Sequence, residues 1–531
     1  MKITRMRGGA LAAVLAGALV LTACTSGPEE PVDDGIERTY VQALGGDPVT
    51  FGMNGQFSSA PISLVMSAQL FDTLIMLSDD YQLTPGLAES WEVSEDGLEL
   101  TLTIRQGVSW HDGEPFTAED VKFNFDEIVP LQVYGGPLAE RIESTEVVDD
   151  STVVVTLSDP YGPLLEAVAS QFMIPQHIYE GTDYLTNPAN NEPIGTGPFM
   201  FESYSSGEQV TMVVNPDYWG GHIEVDRLIY TTLPDANTRA VSLFAGEIDQ
   251  AAINASEQER VLDDPNLELL EGGLFGQVVV AMFNSRNQYL ADPEVRAAIF
   301  SALDRQEIVD TALSGLADPA TGFFPESLDW ALNTDIDFDE DFPRDLEAIE
   351  EVLDDAGFPR GADGTRFTLR LNYITPLTEV GATVELAQSM LAEVGIATEI
   401  LGTSGAIFNE QTYAGDFDIA FLRTSLGPDP SVGITRWYTC NPNNLTATNP
   451  SGVCDEEIDA AADAALATSD KAVRGEALQE LQERARELMF YGTLAWYYGA
   501  NGTVNTSRWD GQNVKPPMTS RMPWLEMTPV E

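Results

Sequence analysis

The sequence predicts an α/β protein of more than one domain, and three observations carry that reading. The chain has 531 residues, more than a single hydrophobic core accommodates, so two or three domains are expected. An apolar fraction of 43% and an aromatic fraction of 9% are those of a packed globular protein rather than a disordered one. Runs with a hydrophobic period of two alternate with runs of period 3.6, the pattern of strands interleaved with helices.

The first residues are processing signal rather than fold. Lys2, Arg5 and Arg7 form a basic start, and Ala10 to Val20 is an apolar run too short to span a bilayer comfortably. It ends in Leu21-Thr22-Ala23-Cys24, which resembles the lipobox of bacterial lipoproteins. That resemblance implies a signal peptide over residues 1–23, cleavage before Cys24, and acyl chains on Cys24 that anchor the protein to the outer face of the cell membrane. Residues 24–36, with the acidic, Pro/Gly-bearing run "TSGPEEPVDDG" after Cys24, read as a flexible tether.

The elements then follow in order. Trp91 and Val93, the turn Asp96-Gly97, and Leu98, Leu100, Leu102 and Ile104 predict a β-hairpin over 91–104. Asp112-Gly113 is a turn. Thr117 is placed to cap a helix, with Asp120 as its capping-box acid and Phe116 and Val121 as a hydrophobic staple. His111 and Asp112 lie inside that turn, which explains them better than an acid/base pair does. Val153, Val155 and Leu157 alternate as a strand. "PIGTGPFMFESY" from Pro193 has glycines but lacks the Gly-Lys-Ser/Thr of a phosphate loop, and reads as a tight turn before a strand. Arg344 to Ala356 is an amphipathic helix with Gly357 as its stop, and Val384 to Val394 is another, stopped by Gly395 ahead of a strand from Ile396. Residues 455–490 carry one or two acidic helices, with Leu478, Leu481 and Leu488 on one face.

Charge and motif content exclude several functions. Asp plus Glu is 85 against 26 for Lys plus Arg, a formal net charge of −59. Such a surface repels nucleic-acid phosphates and anionic lipid headgroups, and the acidity itself is explained by solubility or by life at high salt. HExxH, G-x-S-x-G and dinucleotide fingerprints are absent, and "GTSGA" at Gly402 has the wrong spacing for a nucleophile elbow. The three histidines, His111, His177 and His222, have no metal-ligand spacing. No cofactor, metal or catalytic residue is expected. Cys440 and Cys454 are, outside the cytoplasm, either a disulfide or a pair of buried thiols.

Several blocks resemble, in order, the extracytoplasmic solute-binding proteins of ABC importers, in particular the peptide/nickel/oligosaccharide-binding family 5. They are Leu87–Ile128, "PIGTGPFMFESY", "VNPDYWGG", Leu233–Asp249, Asp292–Asp310 and "FDIAFLRTSLGPDP" at Phe417–Pro430. The resemblance runs from about residue 38 to about 525. It implies a two-lobed periplasmic-binding-protein-like (type II) fold with a third inserted domain. By it, lobe I comprises residues 37–75, 190–280 and 500–531, the extra domain 76–189, and lobe II 281–499. It also implies a monomeric receptor that captures an organic solute by hinge closure and delivers it to the transmembrane subunits of an ABC permease, without making or breaking a bond.

The resemblance further makes "FLRTSLGPDPSVGITRWYTCNP", Phe421 to Pro442, a cleft-lining loop, and favours a disulfide between Cys440 and Cys454. The expected ligand-binding residues are Arg423, Thr424, Ser425, Leu426, Gly427, Asp429, Trp437 and Tyr438. Arg423 is placed either for a solute carboxylate or for a surface ion pair, and Trp437 either for stacking on solute or for core packing. Peptide binders of the family hold the ligand's α-amine with an aspartate three residues before the acid of the Asp-Pro turn; here that position is Leu426. The arginine that dipeptide binders use for the carboxylate falls near Ile374, where no basic residue stands. A free dipeptide is therefore disfavoured; an oligopeptide or a similar organic solute is expected, with an oligosaccharide as the alternative. A lipid-anchored hydrolase using two carboxylates, and a surface adhesin or signalling receptor on the same fold, are the readings from other classes.

Overall fold

The structure is a computed structural model that describes residues 37–46, 61–77, 82–132, 134–184, 186–253, 257–270, 277–375, 377–445, 447–497, 502–512 and 521–530. The signal peptide, Cys24 and the tether lie outside the described residues.

Two large mixed sheets and one small antiparallel sheet organise the chain. The first sheet runs in the order Leu267–Leu269, Thr503–Asn505, Gln250–Ala251, Thr39–Leu44, Arg227–Thr232, Gln209–Val214, Phe199–Ser205. Thr39–Leu44 lies parallel to both Arg227–Thr232 and Gln250–Ala251. The second runs Ala317–Pro319, Tyr491–Tyr497, Gln277–Phe283, Ile419–Ser425, Phe367–Ile374, Ile396–Thr403. Its strands Phe367–Ile374, Ile396–Thr403 and Ile419–Ser425 are parallel. Gln277–Phe283, sequence QVVVAMF, is buried along almost its whole length, as a strand covered on both faces must be. This is the two-lobed α/β arrangement.

The inserted domain is a four-stranded antiparallel sheet in the order Ala88–Val93, Glu99–Ile104, Thr152–Leu157, Ile142–Asp149. The first two strands are the expected hairpin, with Gly97 at φ +72° in its turn. The helix Ala118–Phe123 starts on the expected capping box: the Asp120 amide donates to Thr117 Oγ1 and the Thr117 amide donates to Asp120 Oδ2. Phe116 and Val121 are both buried in this domain's core.

His111 and Asp112 part company. His111 Nε2–H donates to the Gly197 carbonyl at 3.0 Å, and His111 Nδ1 accepts from the Gly195 amide at 3.1 Å. Asp112 pairs with His177 at 2.8 Å. His111 thus stitches the inserted domain to the "IGTG" turn of lobe I. A Cβ on Gly195 would lie 1.8 Å from the Leu70 carbonyl oxygen, and one on Gly197 2.5 Å from that of Gln69. The glycines are there for backbone approach, not for phosphate. Asp72, buried beside them, accepts from Arg521 at 2.7 Å, Trp219 Nε1 at 2.7 Å and Thr196 at 2.9 Å, so the chain's C-terminal segment also fastens this junction.

The helices of lobe II follow the sequence with one change of boundary. Leu346–Asp355 is capped by Asp345 and stopped by Gly357 at φ +89°. The helix expected from Val384 begins earlier and spans Thr378–Glu393. Its first turn contains Gly381, a poor helix former, but Val380 is buried in the core and tertiary packing holds the turn. Residues 455–490 form two helices, Glu456–Leu466 and Lys471–Leu488, each capped by an aspartate, Asp455 and Asp470.

Candidate functional site

Parallel strands present their carboxyl ends together, and in open α/β sheets ligands sit outside those ends. In lobe II the carboxyl ends are Ile374, Thr403 and Ser425. Ser425, Gln277 and Tyr497 occupy one row across the sheet. In lobe I, Leu44 pairs with Thr232, and Ala251 and Leu269 both pair with Thr503. The chain leaves lobe I after Leu269 and enters lobe II at Gln277; it leaves lobe II at Tyr497 and re-enters lobe I at Thr503. Both passages connect these two edges, so the edges face one cleft. The passages themselves, residues 271–276 and 498–501, lie outside the described residues.

The segment 423–431 starts at this edge. Arg423 stands on the last strand turn with its guanidinium 2.7 Å from the Glu379 carboxylate and its Cζ 5.2 Å from the Tyr497 ring centroid. Its charge is therefore met by a carboxylate from the first turn of the helix Thr378–Glu393. Thr424 and Ser425 are partly exposed, and Ser425 Oγ accepts from the Gly427 amide at 3.0 Å. Gly427 sits at φ +76°, where glycine is favoured. Leu426 points into the lobe II core, 3% exposed. The backbone folds back so tightly that a Cβ on Gly433 would lie 1.7 Å from the Leu426 carbonyl oxygen.

Asp429, 3% exposed, accepts from Arg474 at 2.5 Å and caps its own turn through the Ser431 amide at 2.8 Å. Trp437 and Tyr438 belong to the lobe II core. Trp437 stacks against Tyr491 at 6.1 Å, and Tyr438 meets the same ring edge-on at 4.9 Å. Cys440 and Cys454 are joined by a disulfide. The structure thus leaves Arg423, Thr424 and Ser425 partly exposed at the strand end, and buries Gly427, Leu426, Asp429, Trp437 and Tyr438 in the packing that fixes the loop.

Residues that the sequence did not single out complete the site. Glu379 and Tyr497 surround Arg423. Arg436 has its Cζ 5.3 Å from the ring centroids of both Tyr134, in the inserted domain, and Trp437. Its Nε is buried without a hydrogen-bond partner, and among the described residues no carboxylate pairs with it. Arg474 holds Asp429, and Arg239 ties together the loops of the lobe I edge through the carbonyls of Leu233 at 2.7 Å, Pro234 at 3.0 Å and Ala252 at 2.7 Å. The contacts Arg423–Glu379, Arg436–Tyr134 and Arg474–Asp429 have no sequence signal, since in each the two partners lie far apart in the chain. A surface groove of about 500 Å³ between Asn333 and the helix Lys471–Leu488 is away from this edge and lined chiefly by acidic and amide side chains. Among the described residues, no group of three or more His, Cys, Asp or Glu side chains is placed to hold a metal ion, and no helix is long and apolar enough to cross a membrane.

Comparison with known proteins agrees with this architecture. The family model described as bacterial extracellular solute-binding proteins, family 5 Middle, matches residues 82–444. A Brucella ovis protein provisionally named an ABC transporter peptide-binding protein is 29% identical over 481 residues, 86% of this chain and 87% of that protein. Heme-binding protein A of Haemophilus influenzae is 27% identical, covering 78% of this chain and 79% of that protein. Among solved structures, the oligopeptide-binding protein AppA of Bacillus subtilis, in complex with a nonapeptide, superposes with a TM-score of 0.79 at 24% identity, over 93% of this chain and 100% of that one.

Proposed function

Because the chain belongs to family 5 of the bacterial extracellular solute-binding proteins, we propose that it is a lipid-anchored receptor that captures oligopeptides by hinge closure and hands them to an ABC permease. The receptor class follows from the family. The lipid anchor rests on Cys24 and the residues before it, and the domain limits are those expected from the sequence. The observation that carries the solute reading is the cleft edge itself. Two sheets present the carboxyl ends of parallel strands to each other, and one of them continues into the loop Ser425–Asp429.

In this reading Arg423, Thr424 and Ser425 contact solute, and the backbone of the loop supplies polar groups along an extended chain. Gly427, Leu426, Asp429, Trp437 and Tyr438 act through the loop they fix. Arg423 is neutralised by Glu379, so the charge available to a solute carboxylate is that of Arg436. Recognition through backbone and one cation, without the family's amine-binding aspartate, suits peptides longer than two residues better than a free dipeptide. A site that lacks a charge-assisted hydrogen bond gives up about 1.5–3 kcal/mol, which a longer peptide replaces with backbone contacts.

Native mass spectrometry of the purified protein, followed by thermal shift with peptide mixtures, tests this. A retained set of peptides, and stabilisation by added ones, is expected. A retained sugar or metal chelate with no response to peptides would refute the peptide reading while leaving the receptor class intact.

A further inference from the structure

The inserted domain does not only pack on lobe I; it also touches lobe II, at Tyr134 beside Arg436 and, through its backbone, at Gly162. The Gly162 amide donates to the Leu466 carbonyl at 2.8 Å. Leu466, at the end of a lobe II helix, packs against the core of the inserted domain. Arg474 lies behind this point, 1% exposed. Its Nη1 donates to the Gly162 carbonyl at 3.4 Å and its Nε to the Ala465 carbonyl at 3.1 Å. Its Nη2 donates to Asp429 at 2.5 Å and to Ser431 Oγ at 2.9 Å. One guanidinium therefore joins the inserted domain to the loop that leaves the cleft edge.

Gly162 is not in the left-handed region, so its backbone conformation does not call for glycine. What calls for it is the approach. A Cβ there would lie 2.3 Å from the Thr468 carbonyl oxygen and 2.9 Å from both the Ala465 carbonyl oxygen and Arg474 Nε. Every one of these atoms belongs to lobe II, so the position tolerates a side chain only when the two domains are apart.

We propose that the inserted domain is the closing latch of the cleft: Gly162 seats on Arg474, and Arg474 couples that seat to Asp429 and the solute-contacting loop. The proposal rests on the hinge-closure reading above and adds where closure is locked, at a point remote from the solute. Nearby, Glu166 faces Asp429 together with the cations Arg474 and Lys471. Burial, and then the charge of Asp429, raise its carboxyl to about 7. When the domains separate, the group returns toward the ordinary carboxylate range. The latched form then binds an extra proton between those two values, so the proton-linked part of latching grows as pH falls through 7 toward the ordinary carboxylate range, and is lost as pH rises through 7, levelling off above it.

The variant that tests this is Gly162→Ala, which adds a single methyl group at the contact between the inserted domain and lobe II. In the protein without added solute, hydrogen exchange at the residue 162 amide is expected to be at least tenfold faster in the variant. Spin labels on exposed Val148 and Glu399 report the distance between the inserted domain and lobe II, and a random hexapeptide library serves as probe. Wild type is expected to shorten that distance on adding the library, and the variant to bind the library at least tenfold more weakly. Equal exchange and equal affinity in wild type and variant would overturn the latch. A wild type that does not respond to the library, but whose variant shows the faster exchange, would instead refute peptides as solute and uphold the latch. Wild-type affinity should also rise from pH 8 to pH 6, and Glu166→Gln should abolish the rise; an unchanged profile would remove Glu166 from the device.

Discussion

At the scale of single residues, the site is defined by which charges are already spent. Arg423 and Asp429 look alike in sequence as exposed loop charges in a strongly anionic chain. The structure gives each a dedicated partner, Glu379 and Arg474. For the buried pair the consequence is energetic. Removing one partner of a buried ion pair leaves an uncompensated charge and costs about 3–5 kcal/mol. Asp429→Asn is therefore expected to lower the urea midpoint of lobe II markedly, while Arg423→Gln, at a partly exposed pair, costs little stability and acts on binding. Among the described residues, no carboxylate pairs with Arg436. Arg436→Gln should weaken peptides with a free carboxylate about tenfold or more relative to their amides, from the 1.5–3 kcal/mol of a charged hydrogen bond; calorimetry with matched peptide pairs checks it. His111 gives a pH signature. Burial lowers its imidazole to about 4, against the rise favoured by its bond to the Gly197 carbonyl. The unfolded chain thus takes up this proton first, near pH 6.5, and the contribution of neutral His111 is lost as pH falls from there toward 4. In His111→Gln this part of the acid loss of stability, read by denaturant titration at several pH values, should disappear.

At the scale of elements, the sequence was legible wherever local chemistry decides. The capping box at Thr117 and Asp120, the hairpin at 91–104, and the glycine stops at Gly357 and Gly395 are all formed by residues adjacent in the chain. The start of the helix at Thr378 was not legible, because the packing of Val380 rather than propensity holds it. Trp437 and Tyr438 were not either: an aromatic pair in a loop reads the same whether it faces solute or stacks on Tyr491. The loop itself is held by two devices with separable effects. The disulfide Cys440–Cys454 closes a sequence separation of 14, and removing it with serines should cost about 3 kcal/mol through the freed unfolded chain, visible as a lowered denaturation midpoint. Gly433→Ala, by contrast, would drive a Cβ into the Leu426 carbonyl and is expected to displace the loop and reduce solute affinity even where the midpoint changes little.

At the scale of the whole molecule, the net charge of −59 acts on the fold as self-repulsion. Salt shortens its range from about 10 Å at 0.1 M to about 3 Å at 1 M, so the melting temperature should rise between those concentrations, in differential scanning calorimetry with sodium chloride. A flat response would mean that ion pairs such as those of Arg366, Arg370 and Arg484 already balance the field locally. The sequence by itself determined the class, the order of elements and the family, because period, capping and turn chemistry are local properties that repeat along the chain. By position alone, the family resemblance also puts Leu426 where an amine-binding aspartate is expected. Only the tertiary structure decided which charges are paired. Glu379 lies 44 positions from Arg423, Arg474 lies 45 from Asp429, and Gly162 lies 312 from Arg474. Separations of that size are brought to contact by sheet topology and domain docking, and no local pattern encodes them.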